Sequence, residues 1–221
     1  ALPFSILSIS PDTVGQGIVS SRIKGAGFTS QTSFTLIDTL DNIVNTAVIS
    51  SYENSMNLEV QWDLETVPLG TYTVRAIEDA DTVLVINGLT IEASSGMLID
   101  YNSVSPNLVR VGNNGSYAFY FQNVGNVDIP FFKGDFTIPI STTVVNLNVS
   151  DKIFSMSDFM ENYSQDVEDW MEYANYKYVP IFGRNIKPGE IASVSLIVSG
   201  FYSAVFPIRI RARAYTSSEF I

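Results

Sequence analysis

Cysteine and histidine are both missing from the 221 residues, and that pair of absences excludes a large part of protein chemistry. Without a thiolate or an imidazole there is no zinc or haem site of the usual types, no Cys–His or Ser–His nucleophile and no disulfide framework. Charge is scarce as well, at 16% of residues against 46% hydrophobic, so the chain is too apolar to be disordered. Its apolar runs are nonetheless short. None approaches the roughly 20 residues that a spanning helix needs, and no insertion into a membrane is expected. Cations are scarcer than anions: 12 Lys and Arg face 23 Asp and Glu, a net charge of -11. The imbalance lies in the first half, where residues 1–93 hold 3 Lys/Arg and 11 Asp/Glu while the remainder hold 9 and 12. Such a surface repels phosphate backbones, which argues against nucleic acid as a partner. No initiator Met or signal-peptide pattern precedes the first strand, so the expectation is a processed chain or a segment of a longer one.

What the sequence does hold is a period of two. Tyr117, Phe119 and Phe121 alternate with Ala118, Tyr120 and Gln122, which places three large aromatics on one face of a β-strand. The run stops at Asn123-Val-Gly-Asn126, residues that suit a turn, and restarts at Val127 toward Pro130 as a hairpin or a sheet-to-sheet corner. The same plan recurs before it. Strands are expected over residues 4–10, 18–24, 33–38, 46–52, 57–64, 71–77 and 82–91, with 12–17 a loop. Leu58, Val60 and Trp62 share one face, as do Tyr72, Val74 and Ala76. Gly25 and Gly27 bend the chain and set Phe28 as a plug beneath the bend. Asn87-Gly88 suits a hairpin turn or a bulge in one long strand, and the turn already supplied by residues 78–81 favours the bulge. About seven strands at this spacing suit an immunoglobulin-like sandwich, and the chain is long enough for two.

The succession Ile9-Ser-Pro11, Ile23-Lys-Gly-Ala-Gly-Phe28, Phe34-Thr-Leu-Ile37 and Leu69-Gly-Thr-Tyr-Thr-Val74 resembles the TIG/IPT group of immunoglobulin-like domains over residues 6–92. That resemblance implies a spacer or binding module of a larger extracellular or transcription-related protein, and it carries over no catalytic residues. Ala93-Ser-Ser-Gly96 has the composition of a domain boundary. Beyond it, Pro106, a short apolar strand, a glycine, the aromatic strand, Asn123-Val-Gly-Asn126 and Pro130 follow in order, and Ile186-Lys-Pro-Gly-Glu190 precedes a late strand. This pattern resembles the repeated sandwich domains of very large secreted or cell-surface bacterial proteins over 97–139 and 180–214. The expected fold class is therefore all-β: two immunoglobulin-like β-sandwiches in tandem, residues 1–93 and 97–221, the second with one inserted amphipathic helix.

That helix comes from a change of period. Phe159, Tyr163, Val167, Trp170, Met171 and Ala174 recur at spacings of three and four, while Glu161, Gln165, Glu168, Asp169 and Glu172 take the other faces, which predicts a helix near 157–176. It either covers an open edge of its own sandwich or offers Phe159, Tyr163 and Trp170 to a partner. Tyr173, Tyr176 and Tyr178 suit a stacking platform for sugar or a half-buried junction. Arg209, Arg211 and Arg213 alternate with Ile208, Ile210 and Ala212, so three guanidinium groups line one face of the last strand. They are solvated, or they pair with the helix acids or a neighbouring subunit. Carboxylates are plentiful but lack EF-hand spacing, so no metal is expected. The function expected is a non-catalytic structural, adhesive or assembly module of an extracellular or cell-surface protein, with no cofactor. Its partners would be neighbouring domains or subunits of a larger surface assembly, and a protein or glycan ligand. One alternative is a carbohydrate- or ligand-binding module built on the helix and tyrosines; another is a carboxylate-based hydrolase, which needs two acids across a cleft.

Overall fold

The structure is a computed structural model and describes residues 3–105, 112–139, 143–155, 172–173, 176–199 and 209–216. Among them every helix or strand is a β-strand, and no helix is long and apolar enough to cross a membrane. The chain divides into two compact units, Ala1–Met97 with Gly125–Asp128, and Leu98–Val124 with Ile129–Ile221.

The described residues of the first unit form nine strands: β1 (Ser5–Ser10), β2 (Thr13–Gly15), β3 (Ile18–Ala26), β4 (Ser33–Ile37), β5 (Ile43–Thr46), β6 (Val48–Asn54), β7 (Asn57–Asp63), β8 (Gly70–Glu78) and β9 (Asp81–Glu92). One sheet runs β1-β3-β7-β6 and the other β2-β9-β8-β4-β5. Leu58, Val60 and Trp62 of β7 meet Tyr72, Val74 and Ala76 of β8 in a single core that draws on both sheets. Each large apolar side chain buried there contributes about 1.5–3 kcal/mol. Phe28 does plug the bend, its ring edge-on to Phe4 and Phe34. Gly25 must lack a Cβ because one would overlap the Ser5 carbonyl, and Gly27 takes a φ of 78°.

Two expectations change here. Residues 13–15, read as loop, pair parallel with β9, Val14 opposite Ile91; three residues are too few to show a period. The run 46–52 is not one strand. It divides at Ala47, whose N–H donates to the Phe34 carbonyl, so that β5 joins one sheet and β6 the other. Asn87-Gly88 is a bulge within β9: Tyr72 pairs with Leu89 and Val74 with Val85, and Asn87 has a φ of 55°.

The second unit holds β10 (Ile99–Val104), β11 (Gly115–Asn123), β12 (Ile129–Pro139), β13 (Thr143–Val149), β14 (Ile153–Ser155), β15 (Glu172–Tyr173), β16 (Tyr176–Ile186), β17 (Ile191–Ser199) and β18 (Arg209–Tyr215). Its sheets are β10-β11-β17-β13 and β14-β16-β12-β18, with β15 on β16. The stretch after β11 is therefore a corner between sheets. Tyr117, Phe119 and Phe121 are buried beside Ala192, Val194, Leu196 and Val198 of β17. The Phe121 ring lies 4.9 Å from that of Phe132, which comes from the other sheet.

The helix expected near 157–176 falls mostly outside the described residues. Where it re-enters them it is corrected: Glu172 and Tyr173 are strand, opposite Lys177 and Tyr176. Helical spacing is a local signal, and backbone pairing with β16 overrides it at this end.

Candidate functional site

The site begins from the arginines of β18. Arg209, Arg211 and Arg213 stand opposite Thr137, Asp135 and Lys133 of β12. On its other side β12 pairs with β16, which brings Lys133 opposite Phe182 and Phe131 opposite Arg184; Phe131 also stands opposite Tyr215. Directly opposed residues share a face and alternate along each strand, so two adjacent rows result. One is Tyr215, Phe131, Arg184; the other is Arg213, Lys133, Phe182. Three cations and three aromatics thus share the face opposite the buried Phe132, with the rings of Tyr215 and Phe131 adjacent in one row and the cations Arg213 and Lys133 adjacent in the other.

Arg184 and Arg213 are exposed and the other four half-buried. The Arg213 guanidinium lies 5.1 Å from the centroid of the Tyr215 ring, a cation–π distance. Arg213 and Lys133 are direct neighbours across the ladder, where like charges disfavour the pairing they sit on. The charge of the whole molecule sharpens the contrast. The first unit has 3 Lys/Arg against 12 Asp/Glu, a net of -9, and the second 9 against 11, a net of -2.

Elsewhere, several of the described polar side chains serve the fold. Asp128 is buried and accepts from the Ser20 N–H at 3.0 Å and the Ser20 hydroxyl at 2.7 Å. Buried Asn123 donates from Nδ2 to the Ile186 carbonyl at 2.9 Å. Asp38 is held below its ordinary pKa mainly by the Asn42 side chain, with the Asn42 and Leu40 N–H groups assisting. Glu78 is likewise lowered, first by the Thr32 hydroxyl and, against the opposing effect of burial, by Thr29. Burial raises Tyr117. Among the described residues no three acidic, His or Cys side chains are grouped to hold a metal ion.

Of the residues singled out from the sequence, Phe159, Tyr163 and Trp170 lie outside the described ones. Tyr173 and Tyr176 stand opposite each other in the β15–β16 pair. Of the three arginines, Arg213 alone stands in these two rows, while Arg209 and Arg211 lie farther along β18 opposite Thr137 and Asp135. Sequence reasoning missed Lys133, Arg184, Phe131, Phe182 and Tyr215. Alternation around Phe132 was the available signal, since it sends Phe131 and Lys133 to the outer face.

No family model matches the chain, and no curated protein matches its sequence. Several solved structures are similar to it. The collagen binding domain of Erysipelothrix rhusiopathiae surface protein RspB is 7% identical, over 96% of this chain and 86% of that one, with a TM-score of 0.30. A Salmonella alpha-2-macroglobulin mutant is 11% identical, over 96% of this chain and 14% of that one, with a TM-score of 0.30. Native E. coli alpha-2-macroglobulin is 12% identical, over the same shares of the two chains, with a TM-score of 0.29. At these scores the likenesses decide nothing about ligand or assembly, which rest on the chain's own residues.

Proposed function

We propose that this chain is a non-catalytic structural and assembly module of an extracellular or cell-surface protein, built from two immunoglobulin-like sandwiches in tandem. The observation that carries the reading is the use made of its polar groups. Asp128 and Asn123 satisfy backbone and hydroxyl partners across the fold, and the two carboxylates of lowered pKa, Asp38 and Glu78, are held by turn N–H groups and threonine hydroxyls. A catalytic carboxylate is tuned in a cleft toward a substrate; these are tuned toward the turns they close. The extracellular setting rests on the resemblance of residues 97–139 and 180–214 to sandwich repeats of large secreted proteins. Labelling intact source cells with a membrane-impermeant amine reagent tests it. Modification of the exposed Lys24 is expected; modification only after lysis would overturn the cell-surface reading.

One observation favours a second reading, a binding module for neutral glycans, at a place other than the expected tyrosines. The exposed Tyr120 stands between Asn102 of β10 and Ser193 of β17, with Ala118 and Gln122 on either side along β11. An aromatic face among amides and hydroxyls suits an uncharged polyol. Backbone NMR shifts around Tyr120 on adding neutral oligosaccharides would support it, and their absence would remove it.

A further inference from the structure

Resting on the assembly reading, we propose that residues 82–86 of β9 form an open sheet edge on which a second copy of this chain docks by the same segment, continuing the β2-β9-β8-β4-β5 sheet across a two-fold axis. β8 pairs with this part of β9 on one side. On the other, β2 reaches only Thr90, Ile91 and Glu92, and no described strand or further backbone hydrogen bond meets residues 82–86. β1 of the other sheet comes near β9 without covering Leu84 and Ile86, which are 49% and 68% exposed. In an antiparallel ladder alternate residues turn their N–H and C=O groups away from the partner, so such an edge offers a second strand a row of donors and acceptors.

The other three outer strands of the first unit are guarded. β1 carries an extra residue at Leu7, β5 at Val44, and β6 at Ser50 and Glu53. Bulges of this kind twist an edge away from a visiting strand. Residues 81–85 have none: they stand one for one opposite residues 74–78, and the bulge of β9 begins only beyond them. Residues 82–86 also hold no charge and no proline. Val83 and Val85 stand opposite Ala76 and Val74 on the core face, which puts Leu84 on the outer face and Ile86 beside it.

The occupant follows from self-complementarity. An antiparallel pair sets same-face residues opposite one another, and centring it on Leu84 places Leu84 against its own copy, Val83 against Val85 and Thr82 against Ile86. Asp81 then falls opposite Asn87, outside the apolar stretch, and no like charges face each other. Centring one residue earlier would set Asp81 against Val85. Centring one residue later would draw Asn87, with its φ of 55°, into the ladder. The contact is isologous, so it closes as a dimer.

The absence of cysteine makes this register directly testable in the full chain. In Leu84→Cys the two introduced residues stand about 4.5–5.5 Å apart at Cα, within disulfide reach. In Thr82→Cys they lie about 13 Å apart along the strands. With oxidised glutathione, Leu84→Cys should form a covalent dimer about tenfold or more faster than Thr82→Cys, although both sites are exposed. In sedimentation velocity the wild-type dimer should grow with chain concentration and with salt, because screening relieves the repulsion between two first units of net charge -9. Leu84→Asp sets two carboxylates opposite each other and should be monomeric with an unchanged circular dichroism spectrum. If that variant unfolds, the cysteine pair still decides. Equal linking rates for the two cysteine variants overturn the proposal, as does a wild-type chain that stays monomeric up to about 1 mM. An association that weakens as salt rises, or a folded Leu84→Asp that associates like wild type, overturns it as well. Cross-linking on intact cells separates this failure from that of the assembly reading. A chain monomeric alone but cross-linked to neighbouring proteins loses only the second copy as occupant, and one that is neither loses both.

Discussion

The two units fill their interiors differently. The first buries one indole, Trp62, among aliphatic residues drawn from both sheets, with Phe28 closing a glycine bend. The second sets the aromatic row Tyr117, Phe119 and Phe121 beside the aliphatic row of β17 and bridges its sheets through Phe121 and Phe132. The surfaces diverge further. In the first unit Arg22 is engaged by Glu53 at 3.4 Å and Glu59 at 3.0 Å, exposed pairs that contribute about 0–1 kcal/mol. In the second, cations are gathered with rings on one sheet face. The units therefore differ in surface charge as well as in filling, at a net -9 for the first and -2 for the second.

The sharpest way to break the comparison is to empty each core in turn. Trp62→Ala and Phe121→Ala each remove a fully buried ring, and each should cost about 3–5 kcal/mol. Calorimetry should show the loss in the transition of the unit that carries the substitution. If either variant lowers every transition equally, the division into two packing units does not describe how the chain unfolds.

Glycine substitutions act next. A Cβ at Gly25 overlaps the Ser5 backbone carbonyl, which cannot swing aside, whereas a Cβ at Gly183 overlaps the buried ring of Phe132, a side chain rather than backbone. Gly25→Ala should therefore cost about 3 kcal/mol or more and Gly183→Ala about 1–3 kcal/mol, the range for forced repacking. Denaturant melts measure both. A Gly183→Ala loss exceeding that of Gly25→Ala would mean that the ring, rather than the backbone, is the less yielding neighbour.

What was legible in the sequence was whatever repeats at a period of two within one element. β7, β8 and β11 declare themselves because large apolar residues alternate along them over several positions. What depends on distant partners was not legible. Nothing local shows that Ala47 divides two strands, because the hydrogen bond that makes it a corner goes to Phe34. Nothing near Asp128 announces that its carboxylate serves Ser20 in the first unit. The candidate site divides along the same line. Arg209, Arg211 and Arg213 were visible as a strand face, but Lys133 and Arg184 join them only through the register of three strands remote from one another in the chain. The helical stripe was a real local signal, and its last residues still went to strand because β16 offered backbone partners.

The smallest effect expected is in the response to pH, and it too should separate the units. Glu78 and Asp38 have folded pKa values below their ordinary 4.5 and 3.8, the first mainly through the Thr32 hydroxyl and the second mainly through the Asn42 side chain. A carboxyl lowered by folding stabilises the fold above its ordinary value, and the contribution is lost as pH falls through the folded value. Among the described residues, both carboxyls held low in this way lie in the first unit. Tyr117 is raised above 10.0 by burial, so its contribution is present below that value and is lost as pH rises through the folded one. Tyr117, the described group raised in this way, lies in the second unit. Because Glu78 lies near the surface its contribution is screened, at under about 1 kcal/mol. Thr32→Val keeps the shape of a buried side chain but removes the hydroxyl that Glu78 accepts from. Thermal melts from about pH 6 to about pH 3 should then fall less steeply for the first unit than in wild type, beyond the uniform loss of one hydrogen bond. Tyr117→Phe should flatten the alkaline limb of the second unit and leave the acid limb of the first unchanged. Parallel acid limbs for wild type and Thr32→Val would show that the Thr32 contact does not set the acidity of Glu78, and the contrast between the units would then rest on their cores and charge alone.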